Sequence, residues 1–236
     1  MENLNKSFGN RLEFIVVVML AVTALCTAWA SWVSSVHASN QAQNYTTSNN
    51  LSAEGNSEYN AGLQNMMQDM MLYNEINNLS IDLQFAYNKN DKDEIDKIEW
   101  KIDELIAANM TDTFAEAYYW SLDESDKRKE TVSPFEKEGF VDSYFATAFE
   151  LLSESDELLK MGNSDNDNSS RYALVTVIFS VVLFLLGISA TIKNEKYRLI
   201  VVAVSIIVFL IALVYMLSIP MPRDFSFSSF FAGGSE

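Results

Sequence analysis

Apolar and polar positions divide the chain into three long apolar blocks and one long patterned stretch. Two apolar runs stand near the C-terminus, Tyr172–Ile192 (YALVTVIFSVVLFLLGISATI) and Leu199–Ile219 (LIVVAVSIIVFLIALVYMLSI). Each has 21 residues and no Asp, Glu, Lys, Arg or Pro. As helices each covers about 31 Å, the thickness of a bilayer's hydrocarbon core. Lys193–Arg198 (KNEKYR) joins them, so the pair reads as a membrane hairpin with a basic loop. The third run, Leu12–Val36, has 25 residues and one charge, Glu13, at its edge. It fits a retained span, and its first part also fits a cleaved secretory signal ending at Ala28-Trp29-Ala30. Retention is favoured because apolar character continues through Trp32, Val33 and Val36, and the tryptophans suit an interfacial belt.

Between the first and second runs the pattern is helical. Residues 37–57 are rich in Ser, Asn, Gln and Thr and read as a polar helix or a loose linker. Tyr59, Leu63, Met66, Met70 and Tyr73 then recur at three and four, and Leu72, Ile76, Leu79, Leu83 and Tyr87 continue after a phase change. Asn88–Asp91 reads as a turn. Ile95, Ile98, Ile102 and Leu105 mark a second helix. Thr111 or Asp112 is placed to cap a third, which carries Phe114, Tyr118, Tyr119, Trp120 and Leu122. Residues 123–137 read as a charged loop closed by Ser133-Pro134. A last soluble helix carries Val141, Phe145, Ala148 and Leu152 and runs to about Met161. Asn163–Ser170 (NSDNDNSS) reads as a flexible polar linker.

These elements predict an all-α membrane protein with three transmembrane helices and an antiparallel extracytoplasmic helical bundle. The expected layout is a cytoplasmic lead (1–11), a first span (12–36), an acidic extracytoplasmic domain (37–170), a second span (171–192), a basic cytoplasmic loop (193–198), a third span (199–219) and a Phe-rich extracytoplasmic tail (220–236). Orientation follows from Lys6, Arg11, Lys193, Lys196 and Arg198, which belong on the cytoplasmic side. The expected location is a bacterial inner membrane, with the N-terminus inside and the main domain outside.

Charge narrows the partners. The mean hydropathy of +0.02 averages two populations. Residues 37–170 hold 27 Asp and Glu against 9 Lys and Arg, whereas the whole chain has a net charge of −16. Nucleic acid is therefore not expected as a partner, because a phosphate backbone needs a basic surface. The expected partners are the lipid bilayer and either further copies of the chain or another membrane protein. Small residues at helical spacing mark candidate packing faces: Ala21, Ala24, Ala28, Ser31 and Ser35 in the first span, with Ser180 and Gly187 in the second.

Candidate chemistry is sparse. His37 is the only histidine and Cys26 the only cysteine, about 16 Å apart along one continuous helix. No zinc ligand set, phosphate-cradling glycine loop or nucleophile motif is present. Neither catalytic residues nor a cofactor is expected, and the protein reads as non-enzymatic. Met66, Met67, Met70 and Met71 share one broad helix face. Thioethers there could hold a soft metal such as Cu(I), although core packing explains them more simply. Asn163, Asp165 and Asp167 alternate like calcium-loop ligands but lack the glycine and closing glutamate of that loop. Apart from Glu13 at the edge, the spans carry no Asp, Glu, Lys, Arg or His, which argues against a carrier.

Several short motifs occur in a familiar order: Thr27-Ala-Trp-Ala-Ser-Trp closing the first span, the Ala38–Tyr45 exit, Ser133-Pro-Phe, Asn168-Ser-Ser-Arg-Tyr and Leu186-Gly-Ile-Ser. In these the chain resembles a group of uncharacterised bacterial three-span membrane proteins, hypothetical proteins with a domain of unknown function. Ser34-Ser-Val-His37 departs from that pattern. The resemblance implies the three-span topology and brings no activity or site residue with it. The expected role is a scaffold, sensing or oligomerisation module, with a subunit of a homo-oligomeric channel or pore as the alternative.

Overall fold

The structure is a computed structural model that describes the backbone of residues 2–223 and the side chains of residues 12–223. Among these residues it is helical throughout, with no strand. Six α-helices follow in order: α1 (Glu2–Lys89), α2 (Lys92–Asn109), α3 (Asp112–Arg128), α4 (Phe140–Ser143), α5 (Ala146–Ser189) and α6 (Glu195–Ser218). A 3-10 turn, Pro134–Glu136, precedes α4. The chain divides into two compact units. One comprises residues up to Ser48 and from Glu157 onward, and the other is Asn49–Asp156.

The first unit contains the apolar segments of α1, α5 and α6. Among the described residues, three helices are long and apolar enough to cross a membrane. Each presents a narrow seam spaced at three and four. On α5 the seam is Tyr172, Val175, Phe179, Val182 and Leu186; on α6 it is Val202, Ser205, Phe209, Ala212 and Met216. α1 contributes Thr23, Ala30 and Val33. The Phe179 and Phe209 rings meet at 5.5 Å in the middle of this cluster. Buried hydroxyls bond back to their own helices, as Thr23 does to the Met19 carbonyl (2.6 Å) and Ser205 to Val201 (2.8 Å). No seam hydroxyl of these is left unsatisfied in an apolar setting. The outward faces carry Phe14, Leu25, Phe184, Val214 and Leu217, all largely exposed. Such a belt suits lipid and not water.

The second unit packs α2, α3 and α4 on α1. Its core joins Leu72 and Ile76 of α1 to Phe114, Ala117 and Tyr118 of α3 and to Phe140 of α4. The Phe114 ring lies 6.0 Å from Phe135 and 6.2 Å from Phe140. Thr111 caps α3 by accepting the Phe114 N–H (3.2 Å), and Asp91 caps α2 by accepting from Glu94 (3.3 Å). Ser133 and Glu136 form a reciprocal capping box around Pro134.

Four sequence expectations need correction. Asn163–Ser170 is not a linker, because α5 runs through it without a break. Its polar side chains are held by α1: Tyr45 donates to Asn163 (2.7 Å), Ser34 pairs with Ser169, and Asn168 is buried. The expected charged loop at 123–137 begins only after Arg128. Lys127 bonds Asp123 (2.6 Å) and Glu124 (3.1 Å), and Arg128 bonds Glu124 (3.2 Å), so one more helical turn holds. The last soluble helix is interrupted between Ser143 and Ala146, and α6 already includes Lys196–Arg198. The phenylalanines of the tail, Phe225 to Phe231, lie outside the described residues.

Candidate functional site

In the second unit, four of the buried residues of α1 stand at a seven-residue spacing, Gly55, Gly62, Asp69 and Ile76, with Leu72 and Ala86 buried off that line. The two glycines bring other backbone close. A methyl group at Gly62 would overlap the Tyr144 carbonyl oxygen and stand 3.1 Å from Phe145 Cδ1. At Gly55 it would stand 2.9 Å from Leu152 Cγ. This approach delivers Tyr144 to the carboxylate two helical turns beyond Gly62. The Tyr144 hydroxyl donates to Asp69 Oδ2 at 2.6 Å.

Asp69 is 5 % exposed. Burial pushes its carboxyl above the usual carboxylate range, and the Tyr144 bond acts in the opposite direction. Burial, with the bond and charge of Asp69, pushes the Tyr144 hydroxyl far up, so it stays a donor. No Lys, Arg or His accompanies the pair. Oδ1 has no hydrogen-bond donor among the described residues. A mostly buried carboxylate with a raised proton affinity, one tyrosine donor and no basic partner is a mark of functional sites.

The pair opens on a cleft of about 570 Å³. Gln68 and Glu75 of α1 flank Asp69, Asn109 closes the α2 side, and Thr111 and Thr113 come from the start of α3. Leu72 and Leu105 supply apolar wall. The volume falls within the range of small-molecule sites.

A second polar cluster lies in the first unit. His37 is 1 % exposed. Its Nδ1 lies 2.7 Å from Asp165 Oδ1, and its Nε2 lies 3.2 Å from the Pro220 carbonyl oxygen. Asn44 donates to Asp165 Oδ2 at 3.2 Å. Both ring nitrogens therefore have a polar partner. Tyr172 stacks on the imidazole at 5.9 Å and donates to the Ile219 carbonyl at 3.3 Å. The cluster ties together the end of the first apolar segment, the start of the second and the end of the third.

Of the residues singled out in the sequence, Met71 lines the cleft and His37 and Asp165 meet in the second cluster; the others fall elsewhere. Ala21, Ala24, Ala28, Ser31 and Ser35 are all exposed, as are Ser180 and Gly187. They do not form the seam within the chain, which uses Thr23, Ala30, Val33 and the Val175 face instead. Met67, Met70 and Met71 are exposed and Met66 half-buried, so the methionines do not fill the core. The expected seam through Met66 and Met70 is offset by one position from the buried line through Gly62 and Asp69. Among the described residues no group of three or more His, Cys, Asp or Glu side chains could hold a metal ion. Asp165, with Asn163, serves the contacts to α1 and not a calcium loop. Asp69 and Tyr144 escaped the sequence reading. The seven-residue recurrence Gly55–Gly62–Asp69–Ile76 was the signal for them, and it is hidden because two of its four members are glycine.

Neither a protein-family model, nor a curated protein, nor a solved structure matches this chain.

Proposed function

We propose that this is a non-enzymatic integral membrane protein of a bacterial inner membrane, whose extracytoplasmic helical module acts in sensing or scaffolding. The observation that carries this reading is the Asp69–Tyr144 cleft: a binding-sized cavity whose carboxylate is held by a tyrosine hydroxyl, with no Lys, Arg or His in its lining. The cleft belongs to a unit whose helix α1 also supplies the first apolar segment. The basic residues at Lys193, Lys196 and Arg198 favour the cytoplasmic side for the α5–α6 connection. The contact of His37 with Pro220 favours a common membrane face for the exits of the first and third spans and the entry of the second. Within the first unit, the pairings of Ser34 with Ser169 and of Tyr45 with Asn163 favour an antiparallel run of α1 and α5.

Cysteine accessibility tests the placement. In a Cys26→Ala background, Glu138→Cys should react with a membrane-impermeant maleimide in spheroplasts, and Lys193→Cys only after lysis. The reverse pattern defeats the extracytoplasmic assignment. The exposed small-residue stripe from Ala21 to Ser35 favours a second reading, a homo-oligomeric channel or pore. Subunit counting in nanodiscs and ion flux in liposomes separate the two. A monomer without flux ends the channel reading, and a closed ring with flux ends the sensing one.

A further inference from the structure

We infer that the Asp69 cleft binds a small organic cation, a primary amine or guanidinium on a short body with apolar and hydroxyl-bearing parts. The inference rests on the sensing reading and supplies its ligand class. Three observations converge on it. First, Asp69 Oδ1 lacks a donor among the described residues, while Oδ2 is oriented by the Tyr144 hydroxyl at 2.6 Å. An ammonium or guanidinium N–H completes that carboxylate with a charge-assisted bond. Second, the charge at the cleft is one-sided. Glu75 is its other ionisable neighbour besides Tyr144, and no Lys, Arg or His lines it. A second cleft in the same unit, around Tyr73 and Ser121, sets Lys129 against Asp126 and Glu130, so one of its two acidic groups has a cation beside it. The first cleft has no such cation and therefore favours a positively charged ligand more strongly than the second does. Third, the remaining wall suits the body of such a ligand. Leu72 and Leu105 offer apolar contact, and Asn109, Thr111 and Thr113 offer donors and acceptors. The helix termini do not decide the matter. The α2 C-terminus and the α3 N-terminus both reach the cleft, and their dipoles oppose each other. Full charges then dominate.

Isothermal titration of the full chain in nanodiscs tests this with tyramine and agmatine, using N-acetyltyramine as the neutral control. The amines should bind and the acetylated compound should not. Asp69→Asn keeps an acceptor for Tyr144 and should lower amine affinity by about tenfold or more, without lowering the unfolding temperature. Tyr144→Phe frees Oδ2 and should change affinity less. Equal binding of tyramine and N-acetyltyramine overturns the cationic class. Binding that Asp69→Asn leaves intact overturns the site. Asp69-dependent binding of Ca²⁺ or Mg²⁺ with no amine binding also overturns it, in favour of a metal ion. Titration on purified protein does not depend on which side of the membrane the cleft faces. Its failure is therefore distinguishable from failure of the maleimide experiment.

Discussion

Gly62→Ala probes the close approach that delivers Tyr144 to Asp69. In a helix interior, alanine in place of glycine gains about 1 kcal/mol. Here the added methyl overlaps the carbonyl oxygen of Tyr144 and lies 3.1 Å from its carbonyl carbon. The obstacle is backbone, which cannot swing aside as the end of a side chain can. Overpacking of this sort costs about 1–3 kcal/mol, and an overlap with backbone belongs at the upper end, so the net change is a loss of about 1–2 kcal/mol. At about 2–4 °C per kcal/mol for a chain of this size, thermal unfolding in detergent should fall by several degrees. The displacement also lengthens the Tyr144–Asp69 bond, so amide exchange near Tyr144 should rise more than exchange at α2. Gly55→Ala meets a movable neighbour, the Leu152 side chain, and should cost less. If Gly62→Ala unfolds at or above the wild-type temperature, the close approach does not exist as described, and the positioning of Tyr144 needs another cause.

Other expectations follow from the same geometry. Because burial raises the Asp69 carboxyl, the folded state holds its proton more tightly than the unfolded chain does. That contribution is present below the ordinary carboxylate range, about pH 4, and is lost as pH rises through the raised value. Denaturant titrations across this window should show a declining component that Asp69→Asn abolishes. His37→Ala removes the bonds to Asp165 and Pro220 and should destabilise by about 1.5–3 kcal/mol; a double-mutant cycle with Asp165→Ala should give less than additive losses. Thr111→Ala removes the α3 cap and should cost about 1 kcal/mol, read by chemical denaturation. Gly187 meets nothing within 4 Å in the chain, so Gly187→Ala should be neutral or stabilising in a monomer. A loss confined to an assembled particle would mark Gly187 as a contact between copies.

What could be read from the sequence was what depends on local chemistry. The three apolar runs needed only side-chain transfer energies, and each lies in a helix long and apolar enough to cross a membrane. The turn after Lys89, the Thr111 cap and the α2 seam through Ile98 depend on residues within a few positions of one another, and these too were legible. What failed depended on distant partners. Asn, Asp and Ser are weak helix formers because their side chains compete for backbone hydrogen bonds, so NSDNDNSS reads as a linker. In the fold those competing groups are engaged by Ser34, His37, Asn44 and Tyr45, well over a hundred residues earlier. The cleft was hidden for a related reason. A hydrophobicity pattern registers large apolar residues, whereas close packing at Gly55 and Gly62 depends on their lack of a side chain.

The polar pairing along α5 also has a consequence for how the chain matures. Ser34 and Ser169 are separated by 135 positions, and His37 and Pro220 by 183. Loops of that length close slowly and late. When ribosomal synthesis reaches Asn163, α1 is already made, and it serves as the template on which a weakly helical segment becomes ordered. The His37 contact must wait longer, until the final apolar segment has been inserted and Pro220 has emerged. The histidine thus acts as a latch that only the completed set of three segments can close, which makes its burial a reporter of finished assembly.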